Sequence, residues 1–124
     1  MTRDISSTDV PKAIPDNSAT GVSSVINVPA GPTDTLKVTV DANITHPNRG
    51  DLVIQVIAPN GQTATLSNLA GGKADNFVAT GLDISASFSA ASSPSGQWRL
   101  FVRDLARRNT GTINSFALHI TSTN

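Results

Sequence analysis

The stretch "DTLKVTVDANIT", Asp34 to Thr45, puts an apolar side chain at every second position: Leu36, Val38, Val40, Ala42 and Ile44. Successive side chains of an extended strand point to opposite faces of a sheet, so a period of two buries one face and leaves the other to water, which a helix of period 3.6 cannot do. The same alternation recurs in "GVSSVINV" (Gly21 to Val28), in "QWRLFVRDL" through Trp98, Leu100 and Val102, and in "INSFALHITS" through Phe116, Leu118 and Ile120. "DLVIQVIAP" (Asp51 to Pro59) is apolar on both parities, with Leu52, Ile54 and Val56 toward the core and Val53 and Ile57 partly covered, as a central strand requires. Pro59-Asn60-Gly61 turns it into "TATLS" at hairpin distance. "LAGGKADNFVATG" (Leu69 to Gly81) breaks the pattern and reads as loop with at most one short strand, before alternation resumes in "LDISASFSA". "SSPSG" and "RRNTGT" are further turns. About eight short, mostly antiparallel strands at this spacing predict an all-β fold, a jelly-roll β-sandwich over residues 21–124. Residues 1–20 show no such pattern and read as a loose N-terminal lead-in.

Acidity supports the all-β reading. All nine acidic residues are Asp and none is Glu. Asp, Asn, Ser, Thr and Gly satisfy backbone groups in turns, whereas Glu favours helix interiors. At 124 residues one domain is expected. The formal net charge is zero with no basic run, and four Phe with one Trp give no stacking platform, so nucleic acid is not an expected partner. No apolar stretch is long enough to cross a bilayer, and "MTRDISSTDV" lacks the apolar segment of a signal peptide, so no membrane insertion is expected of these residues. The absence of Cys removes disulfides, thiolate metal sites and Cys nucleophiles together.

"THPNRGDLVIQVIAPNGQTATL", "GGKADNF" and "SGQWRLFVRDLARRNTGTINSFALHI", in that order over roughly residues 20–121, resemble the P domain, or Homo B domain, of the proprotein convertases and of many bacterial secreted proteases. The likeness rests on His46, Gly50, Asp51 and Leu52 before Pro59-Asn60-Gly61, then on Gly96-Gln97-Trp98, Arg103-Asp104 and Thr110-Gly111-Thr112-Ile113-Asn114, with Phe116 where the family commonly has Trp. The resemblance implies an eight-stranded jelly roll that follows a catalytic protease domain in the same chain and performs no hydrolysis itself. Its partners would be that domain and a protein substrate, and its location secreted, extracellular or periplasmic, as part of a larger precursor. The alternative class is a carbohydrate- or surface-binding module, which shares the architecture.

The motif residues have structural expectations attached. Arg49-Gly50-Asp51 would bind an adhesion receptor only from an exposed loop, yet it runs straight into the most apolar strand. The resemblance implies that Gly50 is a tight-turn residue and Asp51 an anchor at the strand start, where a carboxylate accepts backbone N–H groups or ligates a cation. His46 and His119 are the only histidines; His46 is expected to bond its own loop and His119 to sit partly covered on a strand. No Gly-Xaa-Ser-Xaa-Gly elbow or His-Glu-Xaa-Xaa-His pattern accompanies them, so neither nucleophilic nor zinc catalysis is expected. Calcium is the cation this composition allows, through Asp51, Asp75, Asn76 and Asp83, with Asp41 and Asp104 as secondary ligands. Asp104 is more simply a hydrogen-bond anchor after a buried strand. Trp98 alternates with Leu100 and Val102 and is assigned to the core, and Arg107-Arg108 to surface charge.

Overall fold

The computed structural model describes residues 1–31, 33–107 and 110–123. Nine strands lie within them: β1 (Thr2–Ser6), β2 (Lys12–Ile14), β3 (Ser18–Val28), β4 (Lys37–Thr45), β5 (Leu52–Ile57), β6 (Thr63–Asn68), β7 (Phe77–Asp83), β8 (Gly96–Asp104) and β9 (Gly111–Thr121). They form two sheets, one in the order β1-β9-β4-β7 with β2 also on β9, the other β3-β8-β5-β6, and every pairing is antiparallel. The all-β jelly-roll sandwich expected from the alternation is the fold that forms.

The inward parity of each strand supplies the core. Val38, Val40, Ala42 and Ile44 of β4 and Ile113, Phe116, Leu118 and Ile120 of β9 face Leu52, Ile54 and Val56 of β5 and Trp98, Leu100 and Val102 of β8, all buried. Each such aliphatic side chain removed from water contributes about 1.5–3 kcal/mol. Trp98 packs edge-on to Phe88, with ring centres 5.1 Å apart, and its indole N–H donates to the Pro94 carbonyl at 2.8 Å. The polar end of that ring is satisfied inside the core.

Three expectations are corrected. The first twenty residues are not loose: β1 pairs with the second half of β9 and β2 with its first three residues, so one long strand holds both on the same edge. Asp9 adds a clamp, accepting from the Ser24 hydroxyl at 2.6 Å and the Val25 N–H at 3.0 Å. In "LDISASFSA" the strand ends at Asp83, whose carboxylate accepts the Ser85 N–H and starts a 3-10 turn over Ser85–Ser87. A local side-chain bond here replaces the ladder. Leu36 does not share the burial of Val38; it precedes β4 and is 52% exposed.

Candidate functional site

The residues carrying the motifs meet at the end of the sandwich where β4 finishes, β5 starts and β8 finishes. His46 and Asp104 are completely buried there, with His46 Nε2 2.9 Å from Asp104 Oδ2. His46 Nδ1 accepts the Asn48 N–H at 3.0 Å, which leaves Nε2 as the donor to the carboxylate. The other Asp104 oxygen accepts the Ala106 N–H at 3.1 Å. Asn76, in the left-handed region at φ 62°, closes the loop from the far side: its N–H donates to the His46 carbonyl at 2.7 Å and its Oδ1 accepts the His46 N–H at 3.0 Å. Gly111 lies against this cluster so closely that a Cβ would fall 2.4 Å from the Thr45 carbonyl oxygen and 2.8 Å from the His46 ring.

Arg49-Gly50-Asp51 forms a single 3-10 turn under the loop that precedes β7. The Arg49 and Gly50 N–H groups donate to the carbonyls of Ala74 and Gly72, and the Arg49 guanidinium lies 6.0 Å from the Phe77 ring centre. A Cβ on Gly50 would fall 2.6 Å from the Gly72 carbonyl oxygen, so only Gly allows the two segments to approach this closely. Asp51 anchors the strand start differently from expectation. Its carbonyl accepts the Leu105 N–H, while its carboxylate accepts the Asn48 side-chain amide at 3.3 Å rather than backbone donors. The tripeptide is a tie between three segments, not a free adhesive loop.

The proposed calcium ligands do not converge. Phe77, next to Asn76, pairs with Ile44, whereas Asp83 pairs with Thr39 at the opposite end of β7, about 20 Å along the strand. Asp83 is exposed and bonded to Ser85. Asn76 spends its oxygen on the His46 N–H, and Asp75 is exposed in the loop. His46, Asp51 and Asp104 do bring one ligand-type atom each within 4.8 Å of one another. Two of those atoms are already bonded to each other, and a nitrogen in the set does not suit a cation that selects oxygen. As a set, these three side chains do not suit calcium.

Trp98 is 1% exposed, which closes its ring face to a stacked sugar. Arg107 is exposed in the turn after β8, and Arg108 lies outside the described residues. No cavity is found among the described residues.

Sequence reasoning missed a second cluster on the outer face of the β1-containing sheet. His119 of β9 stands directly opposite Asp4 of β1, with Nδ1 2.7 Å from Asp4 Oδ1 and Nε2 2.7 Å from Asp41 Oδ2 on β4. Asp41 also accepts the Gly81 N–H on β7 at 2.6 Å, so one hydrogen-bonded row crosses β1, β9, β4 and β7. A neutral imidazole has one N–H and would turn a lone pair toward one of the carboxylates; only the imidazolium satisfies both. The hydrogen bond to Asp41, then that to Asp4, raises the His119 pKa above its ordinary value. The bond to His119, followed by that from Gly81, lowers the Asp41 pKa. The outward parity of Asp41 and His119 was visible in the sequence, that of Asp4 was not, and the adjacency of all three depends on strand register.

Comparison with known proteins places this geometry in a family. The model of the proprotein convertase P-domain matches residues 35–120. The leupeptin-inactivating enzyme 1 of Streptomyces exfoliatus is 43% identical over 107 residues, which cover 85% of this chain and 23% of that protein. The transglutaminase-activating metalloprotease of Streptomyces mobaraensis is 36% identical over 106 residues, covering 86% of this chain and 13% of the relative. Among solved structures, the Aeromonas sobria serine protease in complex with its chaperone superposes with a TM-score of 0.68 at 22% identity, over 97% of this chain and 26% of that one, which shows a shared fold. By the extent of the family match, this chain belongs to the proprotein convertase P-domain family, protease-associated accessory domains.

Proposed function

We propose that the chain is the non-catalytic accessory domain of a secreted protease, set in the same polypeptide as the catalytic domain and supporting that domain's stability or its handling of protein substrates. The observation that carries the reading is the family match together with the relatives' lengths: the aligned region is 23% of one curated relative and 13% of another, the second of which is named a metalloprotease. The chemistry agrees. His46 and Asp104 hold each other in full burial and belong to the scaffold, and His119 is engaged by carboxylates on both ring nitrogens.

A docked accessory domain stabilises its catalytic partner as any native-state ligand does, whereas a tethered one acts by raising local substrate concentration. Comparison of the full-length protease with a version lacking these residues separates the two. Docking predicts a lower melting temperature and shorter half-life of the truncated enzyme even with small peptide substrates. Tethering predicts a loss confined to large or insoluble substrates. Equal half-life, small-peptide turnover and protein degradation in the two enzymes would refute the accessory function, and retention of the module on a polysaccharide would then support a sugar-binding one.

A further inference from the structure

The two outer sheet faces differ in chemistry. On the β1-containing sheet the outward side chains of the inner strands β4 and β9 are Lys, Thr, Asp, Asn, Ser, Ala and His, and the edge strand β7 adds exposed Val78. On the other sheet, β8 points Arg99, Phe101 and Arg103 outward between buried Leu100 and Val102. Phe101 stands opposite Ser23 on β3 and Gln55 on β5, so half-buried Val25 and Ile57 and buried Val53 each lie one diagonal step from its ring, a separation of about 7–8 Å that an aromatic side chain spans. The Arg103 guanidinium lies 5.7 Å from the Phe101 ring centre, and its buried Nε has no hydrogen-bond partner. None of the outward side chains of β3, β5, β6 and β8 on this face is acidic.

We propose that this face, centred on Phe101 and flanked by Arg99 and Arg103, is the surface by which the module seats on the protease domain of its own chain, against an apolar patch that carries carboxylates. The inference rests on the accessory-domain reading and specifies its contact. An aromatic ring among aliphatic side chains with arginine beside it is the composition enriched in interface centres. Charge selects the occupant: a face with two arginines and no carboxylate repels a second copy of itself and attracts an acidic partner. Arg99 and Arg103 are half-buried, and a guanidinium pairs with an arriving carboxylate through charge-assisted hydrogen bonds.

The test uses the full-length protease carrying Arg99→Glu with Phe101→Thr, a pair that keeps β-compatible side chains, beside Ser115→Glu on the opposite face and the truncated enzyme. The expected result is that the double variant lowers the melting temperature of the catalytic domain to that of the truncated enzyme, Ser115→Glu does not, and slow amide exchange in β5 and β8 shows the module still folded. If β5 and β8 lose protection, Arg99→Glu alone is the readout: it should lower the melting temperature part of the way, and an unchanged value overturns the proposal. A wild-type melting temperature in the double variant, with truncation still lowering it, rejects this face while the accessory reading survives. An unchanged melting temperature on truncation removes the docked reading itself. A dimer of the full-length protease that the double variant dissociates, or polysaccharide retention that it abolishes at constant melting temperature, assigns the face to another occupant and also overturns the proposal.

Discussion

His46 shows how much depends on one buried contact. Removing its ring by His46→Ala strands the Asp104 carboxylate in a fully buried site with only the Ala106 N–H for company. Loss of one member of a buried pair costs about 3–5 kcal/mol, so chemical denaturation should show a destabilisation of that order. Asp51→Ala, which loses one long bond to Asn48, should cost clearly less in the same assay. Gly111→Ala probes the other side of the cluster. The added methyl would sit 2.4 Å from the Thr45 carbonyl oxygen, and the strain of overpacking should cost about 1–3 kcal/mol, read as a lower denaturation midpoint at unchanged slope. Both His46 and Asp104 stood out in the sequence as motif residues, yet their bond joins positions 58 apart and no local pattern announces it. The expected calcium ligands were dispersed for a related reason. Asp75, Asn76 and Asp83 are close in sequence, but the extended β7 separates Asp83 from the others.

Strands were legible in proportion to how completely they buried one parity. β4, β8 and β9 alternate almost without exception, and β5 is apolar on both parities except at Gln55; these are the inner strands of the two sheets. β1 and β2 were not legible, because a strand of five residues and one of three with mixed exposure leave too few inward positions to set a period. What holds β1 is its pairing with β9 and the His119 row. His119 has a raised pKa, so its contribution is complete below about pH 6.5, the unfolded value, and disappears as pH rises through the folded one. Asp41 has a lowered pKa, so its contribution is complete above about pH 3.9 and disappears as pH falls through its folded value. The row is therefore strongest between those limits. Amide exchange of Thr2–Ser6 should be slow at mildly acidic pH and accelerate, beyond its intrinsic base dependence, as pH rises past the His119 value. His119→Gln should remove that excess; an identical pH profile in the variant would show that the row does not hold β1.

At the scale of the molecule, the fold class, the sandwich and the family were all readable from alternation, turn residues and motif order, because each follows from local chemistry or from a fixed sequence of short signals. The contents of the two outer faces were readable only after register was known. A cation that bound the native fold would raise its melting temperature by mass action. The donor geometry around His46 predicts otherwise: addition of millimolar calcium, or chelation, should leave the thermal transition in place, and a calcium-dependent rise would require ligands other than the cluster described.

The β1–β9 ladder also determines how the domain bears load. Thr2 faces Thr121, and the Met1 amino group donates to the Ser122 carbonyl at 2.8 Å, so the two backbone exits stand side by side at one corner. Tension applied through those exits would not shear the five rungs together; it would open them one after another, as a zipper, starting at Thr2 and reaching the His119 rung third. The Thr2–Thr121 hydroxyl bond is the first side-chain tie that a pulling force meets and the ionised row the first charged one, so the pH that governs its charge also governs the mechanical strength of the corner.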